Sequence, residues 1–108
     1  MSVLIPQGQI ENAPPLHWHP TSDLKDIPKS GKGGQTEITF ENHSGNLVKL
    51  YWINYRGGRQ SYGQVKSGEK RAQATYANAT WAVTDENDKW LGYFIASHEI
   101  ASGIIPKK

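Results

Sequence analysis

The side chains in this chain best able to do chemistry are aromatic rings and a hydroxyl, not acids and bases. The run Leu50-Tyr51-Trp52-Ile53-Asn54-Tyr55 is followed by Ser61-Tyr62-Gly63, then by Ala74-Thr75-Tyr76 and Thr80-Trp81. Rings offer large apolar faces with a polar edge. A threonine hydroxyl can both donate and accept hydrogen bonds. Together they suit gripping an extended chain or a ring, so the chemistry they point to is recognition.

Other chemistries have weaker carriers. His17 and His19 flank Trp18, and on an extended backbone residues two apart point the same way. They could fill two places in a zinc or copper shell, but no third ligand stands near them, and His43 and His98 are far along the chain. They read as surface histidines of a proline-rich arm, with no metal site. Asp85, Glu86 and Asp88 read as a solvated turn. Ser, His and Asp occur without a nucleophile elbow or similar local signature, so no catalytic residues are assigned and an enzyme is not expected. Gly31, Gly33 and Gly34 precede a strand rather than a helix, which argues against a phosphate cradle. Asn42-His43-Ser44 and Asn78-Ala79-Thr80 fit the glycosylation pattern but also read as turns.

These residues must be held by one small domain. The chain has 108 residues, 36% of them apolar, a formal net charge of +2 and no cysteine. Disulfides, thiolate catalysis and cysteine-bound zinc are excluded, and the lack of disulfides leans toward a reducing compartment. Lysine and arginine are scattered singly, which does not favour nucleic acid or an acidic membrane. Met1 to Pro6 lacks the features of a signal peptide, and no stretch reaches transmembrane length. A cytoplasmic location and no cofactor are the expectation.

Residues 1–35 read as an extended Pro/Gly-rich N-terminal arm. Prolines 6, 14, 15, 20 and 28 break helices, and Ser30-Gly31-Lys32-Gly33-Gly34 reads as a flexible connector. Residues 1–12 are expected to be disordered or extended. The middle of the arm is expected to pack on the domain through Leu16, Trp18 and Leu24, since exposing a tryptophan forgoes a large apolar burial.

Residues 36–108 read as an all-β, antiparallel β-sandwich of about seven short strands. Thr36–Phe40 alternates, with Ile38 and Phe40 on one face. Asn42–Asn46 is a turn. Leu47–Tyr55 is apolar on both faces and reads as a central strand. Arg56–Arg59 turns into a short strand with Tyr62 and Val65, and Lys66–Glu69 turns again. Segments 71–76 and 79–84 read as a hairpin. Strands at 89–95 and around 100–105 complete the set.

The pattern resembles the β domain of the von Hippel–Lindau tumour suppressor. The resemblance rests on Phe40, Asn42, Ser44, Trp52, Asn54, Gly57, Tyr62, Gly68, Arg71, Tyr76 and Trp81, which keep the family's spacing without a gap. It implies a sandwich that binds a hydroxyproline-bearing peptide, with the prolyl ring in an aromatic pocket and its hydroxyl held by a serine and a histidine. Carried onto this chain, the walls are Trp52, Tyr62 and Trp81, Thr75 takes the serine's place, and Tyr76 is a neighbouring ring. The pocket histidine falls on Ala79 and a second histidine on Ala74. The family's helical elongin-binding domain has no counterpart here, so ubiquitin-ligase recruitment is not implied.

The expected function is a non-catalytic domain binding an extended protein or peptide segment, with proline or hydroxyproline as the candidate ring. A carbohydrate-binding module that presents exposed aromatic rings is the alternative. Tyr55, Trp90 and Phe94 are expected to serve the core or strand pairing. The two functions predict different geometry: rings set as walls for a peptide, coplanar exposed rings for a glycan.

Overall fold

The computed structural model describes residues 13–107; the expectation for residues 1–12 lies outside them. Its strands are β1 (His19–Pro20), β2 (Gln35–Asn42), β3 (Val48–Ile53), β4 (Arg59–Val65), β5 (Lys70–Tyr76), β6 (Thr80–Asp85), β7 (Trp90–Ile95) and β8 (Ala101–Ile105). They form a five-stranded sheet, β1-β7-β6-β3-β4, and a three-stranded sheet, β5-β2-β8. The fold is the expected all-β sandwich. The seven strands expected after residue 35 all form, and a two-residue strand in the arm adds an eighth.

The core follows from alternation. Ile38 and Phe40 of β2, Val48 and Leu50 of β3, Trp81 and Val83 of β6, and Phe94 of β7 turn inward and are at most 2% exposed. All six residues of β6 are buried, because its two faces and both its edges are covered. Asn42 is also fully buried and satisfied. Its Nδ2 donates to the Asn46 carbonyl (2.7 Å) and the Val65 carbonyl (2.9 Å), and its Oδ1 accepts from the Ser44 amide and hydroxyl. This turn-to-strand clamp removes the cost of an unpaired buried amide and accounts for the glycosylation-like triplet as structure.

Two parts of the strand layout differ from expectation. Segments 70–76 and 80–85 are not a hairpin: β5 pairs with β2, whereas β6 pairs with β3 and β7 in the other sheet. The turn between them keeps one internal bond, from Ala79 N–H to the Tyr76 carbonyl, and sends others outward. Ala77 N–H donates to the Gly34 carbonyl, Asn78 N–H to Ala96, and the Asn78 carbonyl accepts from Gly31. Asn78 sits at φ 72°, so the chain leaves one sheet for the other there. The second difference is that β8 runs parallel to β2, which residue alternation cannot distinguish from an antiparallel edge.

The arm is fastened along the side where β7 and β8 lie. Leu16 N–H donates to the Ser102 carbonyl at the β8 edge, and β1 pairs with Tyr93 and Gly92 of β7. Between these ties Trp18 packs against Phe94, ring centroids 5.1 Å apart. It lies directly over Gly92, where any Cβ would collide with the indole. Leu16 and Trp18 anchor the arm as expected, but Leu24 does not. It is 43% exposed in the 3-10 turn Leu24–Asp26, and Ile27 is buried in its stead, against Ile53 and Ala82. Nor is the glycine segment a free connector. Gly31 is hydrogen-bonded to Asn78, Gly33 is pressed against Ala77, and the buried Ser30 hydroxyl accepts from Thr80 N–H at 2.7 Å. Gly31 and Gly33 serve close approach.

Candidate functional site

On the opposite side, the terminal strands β4 and β5 of the two sheets lie next to each other and leave a gap. Trp52 and Trp81 are direct cross-strand partners on β3 and β6 and turn into this gap from the five-stranded sheet. Tyr62 joins them because β4 carries a bulge. Between the pairs Lys49↔Gln64 and Tyr51↔Ser61, β4 has one residue more than β3, and Gly63 takes φ 95°. A bulge of this kind re-aims a neighbouring side chain. The Tyr62 ring meets Trp81 edge to face, centroids 4.8 Å apart at 73°.

Tyr55 enters from the turn after β3. Asn54 Oδ1 accepts from the Arg56 and Gly58 amides, and Gly57 takes φ 89°. This tight turn sets Tyr55 perpendicular to Trp52, at 5.5 Å and 85°. The three-stranded sheet contributes Ala74, Thr75 and Tyr76 from β5. These residues with Trp52, Tyr55, Tyr62 and Trp81 line a cavity of about 180 Å³. Pockets for drug-sized ligands span roughly 300–1,000 Å³, so this one suits a single ring or side chain.

The structure thus brings Trp52, Tyr62, Thr75, Tyr76 and Trp81 together around one cavity. It adds Tyr55, which sequence reasoning placed among core or strand-pair contacts. The available signal was Tyr55's place beyond the strand, in a turn marked by Asn54 and Gly57. Trp90 and Phe94 are elsewhere: Phe94 is in the core, and Trp90 packs with Tyr93 and Tyr51 on the outer face. Ala74 lines the cavity, whereas Ala79 is 3% exposed in the core and does not.

Trp81 is 2% exposed and forms the floor. Its indole Nε1–H donates to Thr75 Oγ1 at 2.9 Å, tying the two sheets together behind the cavity. Thr36, opposite Thr75 in register, keeps a buried hydroxyl without a partner among the described residues. Trp52 and Tyr55 meet at 85°, and Tyr62 and Trp81 at 73°, so neither pair offers the coplanar faces of a sugar platform.

Outside the cavity, the histidine pair and the acidic turn have structural roles. His17 and His19 rings are 4.5 Å apart, and His19 stacks on Tyr93 at 4.6 Å. Burial first, and the nearness of His17 second, lower the His19 pKa from its ordinary value. No group of three or more metal-ligating side chains occurs among the described residues. The acidic turn is not simply solvated. Asp85 Oδ1 accepts from the Asn87 and Lys89 amides, and Asp88 accepts from the Tyr51 hydroxyl (2.8 Å) and Lys49 (3.2 Å). These bonds, that from Tyr51 foremost, hold the Asp88 carboxyl below its usual range, while burial raises Tyr51. Among the described residues no helix is long and apolar enough to cross a membrane.

Compared with curated proteins, the chain finds no match. Compared with protein-family models, residues 31–93 match the VHL beta domain, more than half of the chain and all the strands that build the cavity. The chain belongs to the VHL beta domain family, a family of protein-binding rather than catalytic domains.

Proposed function

We propose that this chain is a peptide-recognition domain that takes an extended segment along the β4–β5 side and seats one ring-bearing residue, a proline or hydroxyproline, in the aromatic cavity. Trp52, Tyr62 and Trp81 grip the ring, Tyr76 covers it from β5, and Thr75 lies behind. The observation that carries this reading is the placement of a one-ring cavity between two terminal strands. A terminal strand can pair its backbone with an added chain, while a pocket beside it selects a side chain. Steeply angled rings also suit a compact saturated ring, which can touch several faces at once. The bound partner is then a protein or peptide segment, and the arm is a brace for the sandwich.

The test uses immobilised protein and pools of nine-residue peptides, random except for a central proline or alanine. Retention of the proline pool above the alanine pool, lost in W52A, is the expected result. Equal retention of both pools contradicts the reading.

A further inference from the structure

Resting on the peptide reading, we infer that the cavity selects an unhydroxylated prolyl ring, and that Thr75 is a positioning residue for the Trp81 indole instead of a reader of the ligand. A threonine hydroxyl has one hydrogen to donate and two lone pairs to accept with. Thr75 Oγ1 is already committed as the acceptor for the buried Trp81 N–H. This bond fixes the plane of the floor ring. A ligand hydroxyl brought against Thr75 makes one hydrogen bond there, with either its remaining hydrogen or its second lone pair, and still needs other partners to replace its lost hydration.

The lining provides poor ones. It contains no histidine, carboxylate or carboxamide. Ala74 presents a methyl group, and Ala79 lies in the core outside the lining. The remaining polar side-chain atoms are the tyrosine hydroxyls and the Trp52 indole N–H, which can only donate. Tyr55 and Tyr76 are 45% and 49% exposed, so water competes for them, and Tyr62 is set edge-on to Trp81. A hydroxylated ring entering the cavity would therefore lose hydration at its hydroxyl with only partial replacement. A bare ring loses only apolar hydration, which favours binding. A roughly tenfold preference for proline over 4-hydroxyproline follows from the usual penalty for an incompletely paired buried hydroxyl.

The test adds a third pool, with central 4-hydroxyproline, to the proline and alanine pools. The expected order is proline well above hydroxyproline, with alanine least. Hydroxyproline equal to or above proline, with both above alanine, overturns the selectivity and leaves the peptide reading standing. Failure of all pools to exceed alanine overturns both. T75V is expected to weaken proline and hydroxyproline retention alike and to shift the Trp81 indole proton resonance, and T75S is expected to restore both. A loss confined to hydroxyproline would show Thr75 reading the ligand. Should T75V not fold, A74H decides: an imidazole on the lining should narrow the proline preference, and an unchanged ratio overturns the inference.

Discussion

The sandwich has two long sides where its sheets part, and the chain treats them differently. On the β7–β8 side it supplies its own filling: Leu16 and Trp18 enter from the arm, backbone hydrogen bonds fasten them at Ser102 and Gly92, and Trp18 rests on Phe94. On the β4–β5 side the rings meet edge to face in pairs and leave about 180 Å³ open between them and β5. Both sides use tryptophan. One is packed to stabilise the fold, and the other is propped by a bulge and a tight turn so that a face stays available. A small domain has little apolar surplus to spare, so an uncovered aromatic side beside a covered one is the strongest physical sign of where a partner belongs.

Substitutions can break this contrast, and the largest effect is expected on the closed side. W18A should cost about 3 kcal/mol of stability, since it empties the space between Phe94 and Gly92, while leaving peptide retention intact; denaturant unfolding with a retention assay checks both. G63A should cost about 2 kcal/mol. It forces a side chain into φ 95° and sets a Cβ 3.0 Å from Arg71 Nη1. Because it disturbs the bulge that aims Tyr62, it should also weaken retention. W52A should cost only about 1 kcal/mol, because one face of the ring meets the cavity and not packed atoms, yet it should abolish retention. Equal stability losses in W18A and W52A would erase the distinction between the sides.

The smallest effect expected is pH-dependent. His19 has its folded pKa below the ordinary 6.5, so the folded state favours the neutral ring. Its contribution is full above about pH 6.5 and is lost as the pH falls through the lowered folded value. Acidification from about pH 7.5 to about pH 5 should loosen the arm, seen as a change in Trp18 emission, and H19Q should blunt that change.

Trp52, Tyr62, Thr75, Tyr76 and Trp81 were legible as one set through the resemblance to the von Hippel–Lindau β domain. Alternation and the glycine and asparagine turns place their strands, but Tyr62 reaches the cavity through a bulge that alternation does not report. Tyr55 was not legible, because its position depends on how the Asn54 turn closes. The hairpin expected at 71–84 failed for a related reason. Period-two alternation reports which face of a strand is buried, not which sheet it joins; the strand pairings and the outward hydrogen bonds of residues 77 and 78 reveal the crossing. The arm exposed a further limit. Leu24 and Ile27 are both plausible anchors by hydrophobicity, and the short 3-10 turn, capped where Asp23 Oδ1 accepts from Lys25 N–H at 2.9 Å, decides between them. The glycines at 31 and 33 look like flexibility in composition but permit contact in three dimensions.

Entry of a ligand by the open side and not the closed one is reported directly by the chain's 4 tryptophans. The measurement is a proton–nitrogen NMR titration of the indole N–H signals with a proline-containing peptide drawn from the retained pool. The expected result is that the Trp52 and Trp81 signals move and saturate together, while Trp18 and Trp90 stay in place. Movement of Trp18 or Trp90 with Trp52 and Trp81 unchanged would contradict it.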